Sequence, residues 1–406
     1  MKKKITSLFS LLIILIPFLT LEIRTISAET NDRTASVNSD QMYRSLLNMF
    51  PLDKQGYSLE PSKPAGPFEQ PMTYGLILSS ESIHYRGCPN LESKERVKNA
   101  IKWIIGHSDE DKDGNAGWGL PQAWDAFSDG TINPENHPYS ITTSIIIEGL
   151  LDSLTIDNFW TKNEEKEIKE LIREVTLFWL DNIYIGDENL GYIGYSPEKT
   201  DMQNCPNISG MFLSHLVKTI TRHGDIFNES DREFVIQRMH AIANMLINEV
   251  NLEEGLPYWQ YIEYEKTDIS PNDLIHHIYT LWGIEEYRAH FNNIEIPFTL
   301  DNSLASVNKF IKDDRIYAYP QNKIYTGEQE HYNNRPARLW GIGMMLGFYS
   351  KYDNENMADK VLETIANQYG DWPNLTRWPS YFSNDSAFYG RFAAHVLFGL
   401  SYKNFY

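Results

Sequence analysis

The sequence of 406 residues is poor in cysteine, in positive charge and in long apolar segments. Only two cysteines occur, Cys88 and Cys205, too few for a cysteine-rich zinc site. Lysine and arginine total 36 against 55 aspartates and glutamates, which gives a net charge of −19. Because this charge repels nucleic acids and anionic membranes at long range, neither is an expected partner. After residue 21, no segment is long and apolar enough to span a membrane.

Several motifs of common enzyme classes are also missing. The chain has no glycine-rich phosphate loop, no Gly-x-Ser-x-Gly segment and no His-Glu-x-x-His segment. No linker rich in glycine and serine divides the chain after about residue 70, so a single domain is expected there. Aromatic residues, by contrast, are abundant, with 24 tyrosines and 10 tryptophans. Such rings stack on the apolar faces of sugars or fill a protein core, and composition alone allows both.

The first 28 residues have the pattern of a secretory signal peptide. Three lysines at 2–4 precede an apolar run over 5–21, and a small-residue cleavage site ends at Ala28. An uncleaved anchor is the alternative, since such a run nearly spans a bilayer. Cleavage removes four basic residues and one acidic residue, which changes the net charge from −19 to −22. Either way the protein is expected to be exported: secreted, periplasmic or held at the cell surface.

Two kinds of helix alternate along the rest of the chain. Segments with one apolar stripe and a charged opposite face are predicted to be helices at 91–105, 163–180, 230–250, 301–311 and 354–368. Segments that are apolar on all sides and rich in glycine are predicted to be helices at 139–154, 207–222, 272–288, 336–351 and 385–402. Since a helix that is apolar all round must be buried, the half-exposed helices are expected to surround the apolar ones.

This alternation predicts an all-α fold, an α/α toroid of five to six helical hairpins in two concentric layers. The sixth, imperfect hairpin comes from 40–50 and 72–83, joined by a proline-rich stretch. By domains, 29–70 is expected to hold the N-terminal helix and that stretch, and 71–406 the toroid. Because all hairpins point the same way, the long outer-to-inner connections should emerge at one rim, which is where functional residues are expected. These connections are 117–138, 191–206, 255–271, 315–335 and 370–384.

Four aromatic turns lie in these connections, at Gly117–Gly119, Gly191–Tyr192, Pro257–Trp259 and Asp371–Pro373. With the hairpin layout, they make the chain resemble the α/α-toroid carbohydrate-active families: bacterial polysaccharide lyases, glucuronyl C5-epimerases and six-hairpin glycosidases. Terpenoid cyclases have similar turns, but the chain lacks their Asp-x-Asp-Asp segment. It also lacks the zinc ligands of prenyltransferases and lanthionine cyclases.

The resemblance implies an enzyme that cleaves or epimerises a polysaccharide or oligosaccharide in a central cleft, as an analogy of fold. Two alternatives stay open. One is a non-catalytic factor that binds glycans or assists exopolysaccharide assembly, and the other is a toroid related to terpenoid cyclases. A funnel lined by acidic or histidine side chains favours an enzyme, whereas a filled centre favours a binding protein.

A lyase or epimerase needs a base, an acid and a group that neutralises a substrate carboxylate. Histidine titrates near neutral pH, which makes His137 or His276 the candidate base and Tyr139 the candidate acid. Asn272 and Arg335 are candidate neutralisers, and Asn272 lies four residues before His276, which puts the two on one face if both are helical. Packing at the start of a helix, or a buried core histidine, explains the same residues without catalysis.

A hydrolase instead needs two carboxyl groups about 5–5.5 Å apart if it retains configuration, or about 6.5–9.5 Å apart if it inverts it. The candidate carboxyl groups on the long connections are those of Asp125, Asp268, Glu328 and Asp385. Aromatic, amide and cationic side chains near the same rim are candidates for substrate binding: Trp124, Asn207, His331, Arg338, Trp378 and Tyr381. For Asn207, capping of the following helix is the alternative.

One acidic segment has the spacing of a calcium loop. Asp109, Asp111 and Asp113 precede Gly114, as in the first half of an EF-hand, but Leu120 stands where the bidentate glutamate would be. A structural Ca²⁺ or a solvated acidic turn both fit, and no other cofactor is expected. In an oxidising compartment, Cys88 and Cys205 are the only possible partners for a disulfide.

Overall fold

The structure is a computed structural model that describes residues 39–60, 63–112, 114, 116–262, 272–371, 374–375, 378–379, 384–385 and 387–406. The predicted signal peptide, 1–28, lies outside these residues. Within them the chain forms twelve α-helices: α1 (39–47), α2 (Pro71–Gly87), α3 (Leu91–Gly106), α4 (Ser140–Leu154), α5 (Lys162–Asn182), α6 (Pro206–Arg222), α7 (Glu229–Asn248), α8 (Leu274–His290), α9 (Leu300–Asn308), α10 (Leu339–Lys351), α11 (Glu355–Tyr369) and α12 (Gly390–Phe405). None of them combines the length and apolar character that crossing a membrane requires.

The even-numbered helices form a closed inner ring. Each of them packs against the next one along the chain, and α12 packs against α2 to complete the circle. The odd-numbered helices precede them in sequence, and α3, α5, α7, α9 and α11 pack outside the ring. Aromatic side chains of α1 and the turn after it, Tyr43 and Phe50, are buried against α12 and the residues just before it. The predicted α/α toroid is therefore confirmed, with the sixth hairpin made by α1 and α2.

Five outer helices, α3, α5, α7, α9 and α11, begin with side-chain caps. At α5 the cap is a capping box: the backbone N–H of Glu164 donates to Thr161, whose own N–H donates to the Glu164 carboxylate. At α7, Asn228 is the cap and accepts the backbone N–H of Asp231 at 2.9 Å. These caps satisfy N–H groups that have no partner within the first turn of the helix.

Glycines let neighbouring inner helices touch backbone to backbone in pairs. A Cβ atom placed on Gly283 of α8 would lie 1.9 Å from the carbonyl oxygen of Gly210 on α6. One on Gly399 of α12 would lie 2.3 Å from the carbonyl oxygen of Gly343 on α10. The pair α2 and α4 repeats the arrangement at Gly149. The ring is therefore built from three close helix pairs, and any larger residue at these contacts would push a pair apart.

The outer-to-inner connections carry short antiparallel hairpins. Their strands are β1 (Tyr57–Glu60), β2 (Lys63–Glu69), β3 (Tyr184–Gly186), β4 (Gly191–Ile193), β5 (Asn251–Glu253), β6 (Leu256–Tyr258), β7 (Ile311–Lys312), β8 (Arg315–Ile316), β9 (Gly370–Asp371), β10 (Asn374–Leu375), β11 (Trp378–Pro379) and β12 (Asn384–Asp385), paired in sequence order. The connection from α3 to α4 is instead held by single bridges, Gly119 to Pro138 and Trp124 to Asn133. Since each connection leads into an inner helix, all six lie at the rim where the inner helices begin.

Charged residues at the helix ends are arranged in opposite ways in the two layers. The first turns of the inner helices contain no acidic residue, and the last turns of five inner helices contain basic residues. In α3, α5, α7, α9 and α11 the first turn is acidic and the last turn has no basic residue. Because the layers run in opposite directions, both sets of charges lie at the end of the ring remote from the long connections.

A buried ionic cluster fills that remote end of the ring. Lys218 of α6 pairs with Glu148 and Asp152 of α4, and all three side chains are nearly inaccessible. Burial lowers the pKa of Lys218, but Asp152 and Glu148 outweigh it and hold that pKa well above its usual value. On α8, burial opposes ionisation of Glu286, yet Lys351 and Lys218 bring its pKa down to about 2. The charges compensate one another, which is the condition for burying them.

The predicted disulfide is not formed. Cys88 is an exposed free thiol just after the C-terminal end of α2, whereas Cys205 is a buried free thiol immediately before α6. The two inner helices start at the same rim and each has 17 residues, so the cysteines lie at opposite ends of helices about 25 Å long. A disulfide needs Cα atoms within about 7 Å. Sequence contained no information on this separation.

Substituting the inner-ring glycines tests the backbone contacts. In Gly343→Ala, the new Cβ would lie 2.4 Å from the backbone of His395, and we expect a loss of about 1–3 kcal/mol in unfolding free energy. Gly347→Ala, on the same helix, is the control because its Cβ would meet nothing closer than 3.5 Å. It should be neutral or gain up to about 1 kcal/mol from helix propensity. Equal losses in urea titrations of the two variants would contradict the proposed close pairing.

The buried histidines predict a loss of stability in mild acid. His215 is inaccessible, packs on Phe212 and has no hydrogen-bond partner for either ring nitrogen among the described residues, and burial lowers its pKa to about 3. Below the unfolded-state pKa of about 6.5, only the unfolded chain binds this proton. Stability should therefore fall by about 1.4 kcal/mol per pH unit for this residue between pH 6 and 4. His215→Leu should flatten the pH dependence of urea unfolding, and an unchanged slope would refute this.

Candidate functional site

A cavity of about 340 Å³ lies inside the ring at the rim of the long connections. Each of the six hairpins contributes to its wall, as one residue from each shows: Glu60, Trp124, Asn207, His276, Trp340 and Arg391. In five inner helices the residue that lines the cavity is the second of the helix, and α8 contributes its third residue, His276, and its sixth, Tyr279. The cavity therefore follows from the start of the inner helices and the connections above them.

One wall of the cavity holds a tryptophan with two arginines close to its ring. The guanidinium carbon of Arg338 lies 5.0 Å from the ring centroid of Trp340, and that of Arg391 lies 4.9 Å from it. A guanidinium nitrogen of Arg391 lies 2.6 Å from a carboxylate oxygen of Glu60, and this ion pair connects the sixth hairpin to the first. Trp124 and Tyr261 add further aromatic surface to the wall. The site thus combines flat apolar surface with positive charge, although the whole chain is strongly acidic.

His276 is oriented by the cap of its own helix. Asp273 is the N-cap residue of α8, where its side chain accepts the backbone N–H of His276 at 3.2 Å. The same carboxylate oxygen lies 2.6 Å from Nδ1 of the His276 ring. Tyr261 and Trp340 pack on this ring, with centroids at 4.7 and 6.0 Å. Because Nδ1 is occupied by Asp273, Nε2 is the ring nitrogen available to a ligand.

A second histidine lies behind the cavity wall. Nδ1 of His395 lies 2.6 Å from the carbonyl oxygen of Arg391, so it must carry the proton and donate it. Nε2 therefore accepts, at 2.7 Å, from the hydroxyl of Tyr279, which lines the cavity. Burial lowers the pKa of His395 to about 3, so the ring is neutral at physiological pH. The Tyr279 hydroxyl therefore donates its proton to His395, and the hydroxyl oxygen of Tyr279 can still accept a hydrogen bond from a ligand.

Buried polar atoms around the cavity lack partners. Oδ1 of Asn207, Oε1 of Gln122, Oε2 of Glu60 and Nε of Arg391 make no hydrogen bond within the described part of the chain, and all four residues line the cavity. A buried polar atom without a partner costs about 1–3 kcal/mol, so such groups usually have a ligand or an ordered water. Acceptors and a donor around one cavity match a ligand that carries several hydroxyl groups.

The structure brings four of the predicted site residues together: Trp124, Asn207, His276 and Arg338 all line the cavity. The interpretation of Asn207 as a cap is wrong, since Cys205 occupies the N-cap position and the amide lies within the first turn of α6. These four residues come from four different hairpins and lie around one cavity, and their roles stay predictions.

His137 and Tyr139 do not line the cavity; both are buried between two connections. The Nε2 of His137 lies 3.3 Å from the hydroxyl of Ser196, and its Nδ1 lies 3.7 Å from Asp111. The hydroxyl of Tyr139 accepts from the amide of Asn133 at 3.1 Å. This network joins the second connection to the third. Its position corrects the prediction that the two side chains face a substrate, because packing between connections removes them from the ring axis.

Four more predicted residues lie away from the cavity. Asn272 is buried but precedes the N-cap of α8, so it does not share a helical face with His276 as predicted. His331 is exposed and its ring packs at a tilt against the adjacent Tyr332. The backbone carbonyl oxygen of Arg335 accepts from the backbone N–H of Ala318. The carboxylate of Asp125 accepts two backbone N–H groups in its own turn. Local hydrogen bonds explain the position of Asp125, whereas the buried amide of Asn272 makes no hydrogen bond within the described part of the chain.

The remaining candidate site residues lie outside the part of the chain that the structure describes, or only their backbone is described. Asp113, Asp268 and Tyr381 lie outside the described residues, as do the side chains of Glu328, Trp378 and Asp385. In the part of the chain that is described, which includes Asp109, no group of three histidine, cysteine or acidic side chains is arranged to hold a metal. The calcium loop at 109–113 and the pair of hydrolytic carboxyl groups therefore stay predictions.

Several cavity residues had not been predicted, among them Glu60, Tyr261, Tyr279, Trp340 and Arg391. A positional rule would have found two of them, since Trp340 and Arg391 are the second residues of inner helices. The boundaries predicted for α10 and α12 began three and five residues too early, which placed both residues inside the helix rather than at its start.

No protein-family profile matches the chain, and no curated protein sequence matches it. Solved structures do match its fold. Cellobiose 2-epimerase from Spirochaeta thermophila is similar over 92% of this chain and 97% of its own, with a TM-score of 0.59 and 12% identity. The GH76 α-mannanase of Bacteroides thetaiotaomicron matches 90% of this chain and 95% of its own, at TM-score 0.58 and 11% identity.

A third structure, unsaturated glucuronyl hydrolase from Streptococcus agalactiae, covers 91% of this chain and 90% of its own, with a TM-score of 0.56 and 11% identity. At such identities the likeness concerns the fold. The predicted resemblance to α/α toroids is confirmed at that level.

Removing one partner of the cavity ion pair should be costly. Glu60 and Arg391 are 4% and 14% exposed, so Glu60→Gln leaves a mostly buried guanidinium without its counter-charge. We expect the unfolding free energy to fall by about 3 kcal/mol. The matched control is Glu170→Gln, in an exposed pair with Lys166, which should change stability by less than about 0.5 kcal/mol. Urea titration measures both, and equal effects would rule out the buried pair.

Proposed function

We propose that this chain is a carbohydrate-active enzyme that transfers a proton on a sugar bound in the central cavity, with His276 as the base. The observation that carries the proposal is the composition of the cavity lining. It holds aromatic faces, buried polar atoms without partners, and a histidine paired with a buried aspartate. Sugars present apolar C–H faces and several hydroxyl groups, so they complement the first two features.

The pairing of His276 with Asp273 supports a role in proton transfer. A neighbouring carboxylate that accepts from Nδ1 fixes the tautomer in which Nε2 has a free electron pair. In the proposed reaction, Nε2 takes a proton from a carbon next to a carbonyl or carboxyl group. The electrons of the broken C–H bond form a C=C bond, and the carbonyl electron pair moves to oxygen. Arg338 and Arg391 supply positive charge near that oxygen.

Two outcomes follow from the enolate formed in this way. If a proton returns to the opposite face of the carbon, the product is an epimer. If the bond to a substituent on the next carbon breaks instead, that substituent leaves with the electron pair, and the product is an unsaturated sugar. Both reactions conserve atoms and need no oxidant or reductant. Epimerisation and lyase chemistry therefore share the same base.

Hydrolysis fits the described cavity less well. It requires two carboxyl groups on opposite sides of the bond that breaks. Among the described cavity residues, Glu60 alone carries a carboxyl group, and one of its oxygens is paired with Arg391. Proton transfer from carbon is therefore the reaction that these side chains support.

Export of the protein belongs to the same proposal. The basic, apolar and small-residue regions of 1–28 are those of a signal peptide, and an exported enzyme would meet extracellular or periplasmic glycans. Mass spectrometry of the N-terminus in the culture fluid, periplasm and membrane fraction shows whether cleavage follows Ala28 or whether the segment is retained as an anchor.

The activity can be measured on a sugar panel in D₂O. Cellobiose, α-1,6-mannotriose and glucuronate oligosaccharides are incubated with the enzyme and followed by proton NMR. Epimerisation exchanges one C–H position for deuterium and produces a new set of ring signals, whereas a lyase also produces absorbance at the unsaturated-uronate band. New reducing ends without exchange would show hydrolysis and overturn the proposal. Tight binding without any product would show a glycan-binding protein.

Variants of one helix separate catalysis from folding. His276→Gln should lower kcat by about 100- to 10,000-fold while changing the melting temperature little, because the ring contributes a proton acceptor. His290→Ala, at the other end of α8 and exposed, is the control and should retain full activity. Asp273→Asn keeps a side chain that caps the helix but loses the charge beside Nδ1, so kcat should fall more than KM changes. Full activity of His276→Gln would exclude it as the base.

A further inference from the structure

We propose that the cavity admits only the end of a carbohydrate chain, so that the enzyme acts on a terminal sugar unit and not inside a polymer. This inference rests on the proposed function for the kind of ligand. It revises the expectation of a polysaccharide bound along a cleft. The argument depends on the wall, the floor and the volume of the cavity.

Described residues from all six hairpins surround the ring axis at the cavity. A polymer bound at an internal unit needs two openings, because chain leaves the site on both sides of that unit. Here every one of the six hairpins supplies at least one lining residue, so described side chains stand in all six sectors of the wall. The first and sixth hairpins are further tied together by the ion pair of Glu60 with Arg391. A bound polysaccharide therefore cannot leave the cavity sideways past these residues.

The floor is closed as well. Tyr279 lines the cavity and also borders a second void of about 10 Å³ further along the axis. That void has room for about one water molecule and not for a sugar ring. Trp282, one helical turn beyond Tyr279, is inaccessible and lines it. Glu148 also lines this void and belongs to the buried cluster with Lys218, so described side chains close the ring axis below the cavity.

The volume sets the length of chain that fits. The cavity of about 340 Å³ is near the lower limit of ligand sites, which range over about 300–1,000 Å³. Such a space suits one or two sugar units. A cavity of this volume with one opening binds the terminus of a carbohydrate chain, and the rest of the carbohydrate extends into solvent.

The test uses oligosaccharides with blocked ends. Hexasaccharides of β-1,4-glucose, α-1,6-mannose and β-1,4-glucuronate are prepared with a bulky fluorophore on the reducing end, the non-reducing end, both ends or neither. Binding to the full-length protein is measured by calorimetry. One blocked end should weaken binding by about 100-fold or more, and blocking the other end should change it less than about twofold. Binding of the doubly blocked chain within about threefold of the free chain would overturn the proposal.

Chain length provides an independent measure. At equal molar concentration of chains, trimers and hexamers should bind equally, because each has one terminus of the required kind. An affinity per chain that rises in proportion to length would indicate internal binding and overturn the proposal. Trp124→Ala should weaken binding of the free hexamer, whereas Trp160→Ala, outside the cavity between α4 and α5, should not. The reverse order would place the sugar outside the cavity.

These results separate this inference from the proposed chemistry, because binding is measured without turnover. If binding depends on a free end but no deuterium exchange occurs, the chain-end specificity is supported and the proposed proton transfer is rejected. Exchange on a doubly blocked chain keeps the chemistry and overturns the chain-end specificity.

Discussion

All six inner helices begin at the same rim because each follows an outer helix that runs in the opposite direction. This single constraint decides where the site lies. It brings the first turns of six helices around one axis, and the second residue of five of them faces the cavity. Asn207, Trp340 and Arg391 are far apart in sequence and meet only for this reason. The glycine contacts that bring inner helices together in pairs keep this circle narrow enough for its side chains to share one ligand.

The helical layout could be predicted because periodicity is a local property. Stripes of apolar residues identified the outer helices, and the lack of such stripes identified the inner ones. The site could be predicted only in part, because the direction of a side chain depends on where its helix begins. His276 faces the cavity from the first turn of α8, whereas Asn272, four residues earlier, precedes the cap and leaves the helical face. Likewise, His137 is in the predicted connection but turns into the contact with Ser196.

The polar groups at the two ends of the ring differ in whether they have partners within the protein. At one end, polar atoms remain without protein partners around an open cavity, which costs stability and provides groups for a ligand. At the other end, Lys218, Glu148 and Glu286 belong to a cluster whose charges compensate one another and which closes the axis. The cavity and the buried cluster therefore use different residues of the same helices, and among the cavity residues the pair of Glu60 with Arg391 also contributes to stability. A substitution at the cavity leaves the charges of the cluster below it unchanged.

The distribution of charges at the helix ends gives the ring an electric polarity. Each helix carries about half a positive charge at its N-terminus and half a negative charge at its C-terminus, and this macrodipole is felt mainly within the terminal turn. Outside the Asp273 cap, no acidic residue in the first turn of an inner helix neutralises the positive end. Five positive ends without a neutralising acid thus surround the cavity of a chain whose net charge is −19. A ligand oxygen that gains negative charge there is stabilised by the backbone itself, before any side chain is counted.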